Sequence, residues 1–393
     1  MLKKVICHFV IVSAALLIFS FIGNRVEKLN PIIKAVNDIK LSDIFFLFSD
    51  NIETSSEIYI IDIGDKDSVK SREDIASFIE KINDQYMPKV IGLDVFFDSK
   101  YKDESFNKKL ITSLSMDNVI RIFKVEDDFN TLYPNFSVLP GLDTNTVFKD
   151  GYTFGLGNAT QHPCIRYYKP TFEIQGKKYN HFSKLIAQKY LNQSSEELSN
   201  ALDINFEDKL MIRFNTNFSD NRININDSTR YHELKDKIVL IGLNTYKNDG
   251  TPFYNNDVHF TPKNPNYIGR SIKDSYGIEI IGTIVSNLIN NDHFSHSETF
   301  VKWLNWIISI IVYIFLLFFF TTFNEHYVFL KIFIQTIGIL LLVIISFFIM
   351  FNSNYYIDLT PAIGMIFISA EFIKIVEELL QKLPSYTKSL KNE

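Results

Sequence analysis

Long apolar stretches fall at the two ends of the chain and leave a mixed block between them. The first covers residues 5–22, and three more follow in quick succession at about 301–323, 328–351 and 357–376. Each is close to or above the ~18 apolar residues that carry a helix across a ~30 Å hydrocarbon core. The pattern therefore predicts four parts: a transmembrane anchor at 1–23, a folded domain at 24–300, a three-helix transmembrane bundle at 301–376 and a short tail at 377–393.

Inside the folded block the apolar periods change. Residues 57–65, EIYIIDIGD, form a short apolar run that ends in acidic residues and Gly, as a buried strand does. In residues 72–86, Ile75, Phe78, Ile79 and Ile82 fall at i, i+3, i+4 and i+7, one helix face that Pro88 then stops. Residues 89–97, KVIGLDVFF, read as a second strand, and strand–helix–strand spacing implies a parallel sheet. A helix is predicted at 103–114, a strand at 118–124, a loop at 125–140 and a Gly- and aromatic-rich turn at 151–158. Helical spacing returns at 182–190, a strand at 210–215 and a stronger one at 235–242. A polar loop of roughly 30 residues carries Asp249, Asp257, His259, Thr261 and Pro262, and residues 277–289 lead back to the membrane as a helix. The expected fold is an α/β extracytoplasmic domain with a mostly parallel sheet, plus four transmembrane α-helices, one N-terminal and three C-terminal.

Charge supplies the orientation. Lys3 and Lys4 precede the first run and stay cytoplasmic by the positive-inside rule, which puts the block outside and both termini inside, with Lys382, Lys388 and Lys391. Residues 20–25 lack a pair of small residues for signal cleavage, so an uncleaved anchor is favoured over a signal peptide. Of the two cysteines, Cys7 lies in the first run and Cys164 in the block, so no disulfide framework or Cys-based zinc site is expected. Cys164 reads as a buried free thiol or an intermolecular contact. A net charge of −5 gives no support for nucleic-acid binding.

Asp62 and Asp94 are placed near the C-terminal ends of neighbouring strands, the edge where open α/β sheets bind ligands. With Asp65, and Asp257 from the late loop, they form an oxygen-only group suited to a polar ligand, Mg²⁺ or Ca²⁺. Arg72 and Arg166 offer planar donor forks for an anion. The alternative is structural: the acids cap the next helices and pair with the arginines to fasten loops. Whether a metal binds is open, and no cofactor is expected. There is no phosphate loop, GxSxG or HExxH, and no Ser/His/Asp triad is supported, so no enzymatic activity is expected. His293 and His296 read as surface histidines near the membrane. In the bundle, Asp358 and Thr360 before Pro361 mark a helix start, Lys331 and Glu371 are candidates for an ion pair, and Trp303 and Trp306 for interface anchors.

The order of these motifs resembles the type-2 CHASE family of extracellular sensory domains over about residues 58–288. The corresponding segments are IYIIDIGD, Arg72, VIGLDVFF with Asp94, Arg166 after a glycine-containing turn, LKDKIVLIG, DVHFTP with Asp257 and Thr261-Pro262, and Gly277-Ile278-Glu279. The chain departs from the pattern at Gly64, in the approach to Arg72, at His162-Pro163 and at Ile281. The resemblance implies a bacterial inner-membrane sensor of an unknown extracytoplasmic ligand, with Asp62, Asp65, Arg72, Asp94, Arg166 and Asp257 as ligand-binding residues. Residues 377–393 are too short for a kinase or cyclase fold, so the expected output runs through a separate cytoplasmic or membrane signalling partner, with homodimerisation by analogy. An envelope assembly factor and a metal-dependent extracytoplasmic enzyme are the alternatives.

Overall fold

The computed structural model describes residues 43, 45–46, 53–64, 71–95, 104–122, 124–125, 132–133, 164–174, 177–247, 250–253, 257–264, 273–294, 297–322, 327–353, 355–364 and 366. The chain divides into two compact units, 43–295 and the combination of 1–42 with 296–393.

Unit 43–295 is built on a five-stranded sheet. Its strands are β1 (Ile58–Asp62), β2 (Val90–Leu93), β3 (Val119–Arg121), β4 (Arg222–Asn224) and β5 (Ile238–Gly242), in the spatial order β4-β1-β5-β2-β3. Every neighbouring pair is parallel. The near-continuous apolar runs of β1, β2 and β5 follow from burial on both faces. Among the described residues, those faces are covered by α1 (Arg72–Tyr86), α2 (Glu104–Leu114), α3 (Phe182–Leu191) and α5 (Gly277–Ile289), with the shorter α4 (Ser195–Leu202) after α3.

Alternation along the strands sorts the core. Ile61, Ile91, Leu93, Val239 and Ile241 face Ile75, Phe78, Ile79 and Ile82 of α1 and Leu110 and Leu114 of α2. Ile58, Ile60, Val90, Ile238 and Leu240 face Phe182 and Ile186 of α3 and Ile278, Ile281 and Val285 of α5. Burying side chains such as Phe78 and Ile79 contributes about 1.5–3 kcal/mol each. Gly92 is what lets α3 lie close to the sheet, because a Cβ there would stand 2.7 Å from Ile186 Cδ1 and 2.8 Å from Leu240 Cδ2.

Helix α1 occupies the predicted span. Ser71 Oγ accepts from the Asp74 N–H at 3.2 Å and the Ser71 N–H donates to Asp74 Oδ2 at 3.1 Å, a reciprocal capping box. Met87, in the left-handed region at φ 49°, closes the helix by donating to the Ile82 carbonyl, and Pro88 follows. Helix α5 also keeps its predicted bounds.

Other expectations shift. The late loop contains a short antiparallel ladder of β6 (Val258–His259) on β7 (Ser275–Tyr276). The region read as a loop from 125 to 140 contributes Leu132–Tyr133 to a ladder with Lys124–Val125. Only Leu210–Met211 of the 210–215 run is strand, pairing with Tyr167–Tyr168. The turn at 151–158 lies outside the described residues. His293 is buried rather than on the surface, with its pKa held below the usual histidine value by desolvation.

In the other unit, two helices among the described residues are long and apolar enough to cross a membrane. They lie within α6 (Glu298–Thr322) and α7 (Tyr327–Ser353), close to the second and third predicted spans. The first run and most of the fourth lie outside the described residues, as do the side chains of Lys331 and Glu371. The Asp358 cap forms, with Oδ1 accepting from the Thr360 N–H at 3.0 Å.

Candidate functional site at the carboxyl edge of the sheet

Asp62 and Asp94 both stand at the C-terminal edge, but not on neighbouring strands. Strand β5 lies between β1 and β2, with Asp62 in register with Gly242 and the Asp94 N–H donating to the Ile241 carbonyl at 2.9 Å. Asp62, Gly242 and Asp94 therefore form one row on the α3/α5 face. The two acids are two strand spacings apart, about 10 Å along the hydrogen-bonding direction.

The two carboxyls differ in environment. Asp62 is only 5% exposed and its oxygens are occupied. Oδ1 accepts from the Gly64 and Asn244 N–H groups, each at 2.9 Å, and Oδ2 accepts from Thr245 Oγ1 at 2.8 Å. Burial raises its pKa, against the opposing pull of these hydrogen bonds and the Arg222 charge. Asp62 thus fastens the loop after β5 to the end of β1. Asp94 is half-buried, and among the described residues no group donates a hydrogen bond to its carboxyl. Its pKa stands well above the usual value, first through desolvation and then through the negative charge of Asp257.

Asp257 reaches this place through its backbone. It sits in the left-handed region at φ 56°, and its carbonyl accepts from the Gly277 N–H at 2.9 Å. Its carboxylate rests on Gly277, where a Cβ would approach Oδ2 to 2.5 Å. Only glycine at the first position of α5 leaves that space, and the positive end of the helix dipole favours the charge. Asp257 Oδ1 also meets His259 Nε2 at 3.1 Å.

Of the other expected site residues, Arg72 opens α1 and is partly buried, and Asp65 lies outside the described residues. Arg166 is held by Asp43: Nε donates to Oδ1 at 2.7 Å and Nη2 to Oδ2 at 2.6 Å, with both residues 5% exposed. Cys164, a buried free thiol, lies close enough to feel this pair, and its pKa is pushed up by burial. Among the described residues, no group of three or more His, Cys, Asp or Glu side chains could hold a metal ion.

Sequence reasoning missed a bracket around the rim. Arg222 of β4 donates from Nη2 to Glu279 Oε1 at 2.8 Å, and its guanidinium lies 4.4 Å from the Tyr246 ring centre. Tyr246 OH donates to Glu279 Oε2, and Tyr276 OH to the Thr245 carbonyl at 2.7 Å. Asp274 is a second loop fastener, accepting from the Thr261 N–H at 2.9 Å, from Asn264 Nδ2 at 3.2 Å and from the hydroxyls of Thr261 and Ser275. Glu279 and Thr261 stood in the quoted motifs; Arg222, Tyr246 and Asp274 carried no local signal. The arrangement fixes Asp62 and the surrounding loops and leaves the Asp94–Asp257 pair as the part with unspent hydrogen-bonding capacity.

The α/β unit thus presents acids at the carboxyl edge of a parallel sheet, and the chain continues into helices long and apolar enough to cross a membrane. The family model of the CHASE2 domain matches residues 12–322, and the chain belongs to that family of sensory extracellular domains. The match runs from within the first apolar stretch to the last residue of α6. No curated protein and no solved structure matches the chain.

Proposed function

We propose that this protein is a membrane-bound extracytoplasmic sensor that binds a ligand at the Asp94–Asp257 edge and signals, without enzymatic activity, through a separate partner. The supporting observation is the packing of the segment that follows the first apolar run against the segment that precedes α6. Asp43 is held by Arg166, and Phe45 and Phe46 pack edge-on against Phe294 at 5.8 and 6.1 Å, with Phe214 at 5.9 Å from Phe46. Phe45, Phe46 and Phe294 are at most 3% exposed. Helix α5 begins at Gly277, against the Asp257 carboxylate, and ends at Ile289, five residues before Phe294, so a change at its N-terminus has a helical route towards this junction. A ligand biases such a route only by its differential affinity for two states.

In this reading four helices span a bacterial inner membrane, the large domain is extracytoplasmic and both termini are cytoplasmic. Asp62 and Arg72 border the pocket and Asp257 lies on its closing loop. Asp65 extends the acidic edge, and Arg166 acts on it through Asp43 and the junction. The test is affinity purification of the full-length protein from its native membrane, beside a version lacking residues 377–393. A cytoplasmic kinase, cyclase or regulator that is lost on truncation is the expected result. Recovery of envelope proteins alone, unchanged by truncation, overturns the reading in favour of an assembly factor.

A further inference from the structure

A groove of about 690 Å³ runs beside the edge strand β3, from residues that precede the strand to Arg121 at its end. That volume is ordinary for small-molecule sites, ~300–1,000 Å³. None of Asp62, Asp94 and Asp257 lines it.

Its walls have a distinct chemistry. Leu114, Val119 and Leu185 supply an apolar floor, while Asn180, Gln188, Asn192 and Gln193 and the hydroxyls of Ser194 and Ser195 line the sides. Asn180 Oδ1 already accepts from Lys184 Nζ at 3.0 Å, while Gln188, Asn192 and Gln193 bring planar donor–acceptor pairs of the kind that bridges two adjacent hydroxyls. Gln193 Oε1 is shielded from water yet accepts no hydrogen bond. Such a group signals capacity left for a partner, since buried polar atoms are nearly always bonded.

Charged groups also line the groove. Lys189 Nζ donates to Asp117 Oδ2, and Arg121, only 2% exposed, stands at the far end.

We infer that the groove between β3, the end of α2 and the α3–α4 connection binds a polyhydroxylated ligand, a glycan segment of about disaccharide size. The carboxamides take its hydroxyls and the Leu114–Val119–Leu185 floor takes the C–H face of a ring. This site is separate from the acidic edge and does not depend on it.

The experiment uses the full-length protein in lipid nanodiscs, because a glycoside detergent would compete. Saturation-transfer NMR with maltose, cellobiose, trehalose and N,N′-diacetylchitobiose, each at millimolar concentration, reports binding. At least one disaccharide is expected to bind. Its affinity should fall by roughly tenfold in Gln193→Leu, the loss of one or two hydrogen bonds. Gln188→Arg, on the exposed side of α3, serves as a second variant that fills the groove without touching the core. Asp94→Asn should leave the affinity unchanged, which separates this site from the acidic edge. The inference is overturned if none of the four sugars binds, if binding survives both groove variants, or if trialanine binds there and the sugars do not.

Discussion

Arg166 and Asp43 form a two-pronged ion pair across 123 residues of sequence, with both side chains almost wholly withdrawn from water. Guanidinium and carboxylate meet through two parallel hydrogen bonds, which gives direction as well as attraction. The pair does not need to be strongly stabilising to matter. Removing one member leaves the other a buried charge without its two-pronged partner.

Arg166→Ala should therefore destabilise the domain by about 3–5 kcal/mol, and Arg166→Lys should not restore the loss, because a point charge cannot reproduce the fork. The double change Asp43→Leu with Arg166→Met should recover most of it, since a buried pair replaced by apolar groups is often neutral. Denaturant unfolding of the four proteins checks this. Equal stability of Arg166→Ala and the native protein would show that the pair is solvated in solution.

The acidic edge gives a pH-dependent expectation. Asp94 has a raised pKa in the folded state, so its protonated form favours folding. That contribution is present below the unfolded value of about 3.9 and is lost as pH rises through the folded value. At neutral pH the charged Asp94 opposes folding, with Asp257 adding repulsion. Asp94→Asn should raise the melting temperature at pH 7, with the gain shrinking as pH falls. A lower melting temperature for the variant at pH 7 would mean that the carboxylate is stabilised by a cationic partner.

Much of this architecture was readable because it is local. The Ile75–Phe78–Ile79–Ile82 face and Pro88 lie within or just beyond one helix, so α1 was placed to the residue. The apolar strands ending in Asp62 and Asp94 were likewise visible. Their spacing was not, because a parallel crossover places β5 between β1 and β2 after more than a hundred intervening residues. Asp62 looked like a free ligand group for the same reason. Thr245, which bonds it, is 183 residues away, and no periodicity reports such a contact. Arg222 lies on a three-residue strand, too short for alternation to register, and Asp43 stands in a stretch with no motif of its own.

Lys184 offers a second titration. Its side chain is nearly free of solvent, donates to Thr171 Oγ1 at 2.9 Å and Asn180 Oδ1 at 3.0 Å, and lies 4.1 Å from the Phe206 ring centre. Burial, the largest cause, lowers its pKa from 10.5 to about 8, with Glu207 raising it and Lys178 lowering it. A lysine depressed in this way penalises folding while both states are charged, below about pH 8. The penalty is relieved as pH rises from about 8 towards 10.5. Lys184→Met removes the titration along with the two hydrogen bonds, so the slope is the informative quantity. The melting temperature of the native protein should gain on that of Lys184→Met between pH 8 and 10. Parallel curves would show that the amine keeps an ordinary pKa.

Within the helical unit, Asn305 of α6 is a polar tie to the helix start that follows α7. It is 7% exposed, donates from Nδ2 to the Asp358 carbonyl at 2.7 Å and to the Val301 carbonyl at 2.8 Å, and accepts from the Ala362 N–H at 2.9 Å. These bonds satisfy backbone groups at the point where Asp358 and Pro361 begin a helix, where lipid would supply no partner. Asn305→Leu should destabilise the helical unit by about 0.6–2 kcal/mol, the range for hydrogen bonds between membrane helices. Asp358→Ala should spare the Asn305 contact, because that bond uses the backbone carbonyl, and should remove the cap on Thr360. Unfolding of the full-length protein in mixed detergent micelles separates the two. A loss in Asp358→Ala equal to that in Asn305→Leu would mean that the cap, rather than the asparagine, holds this helix start in place.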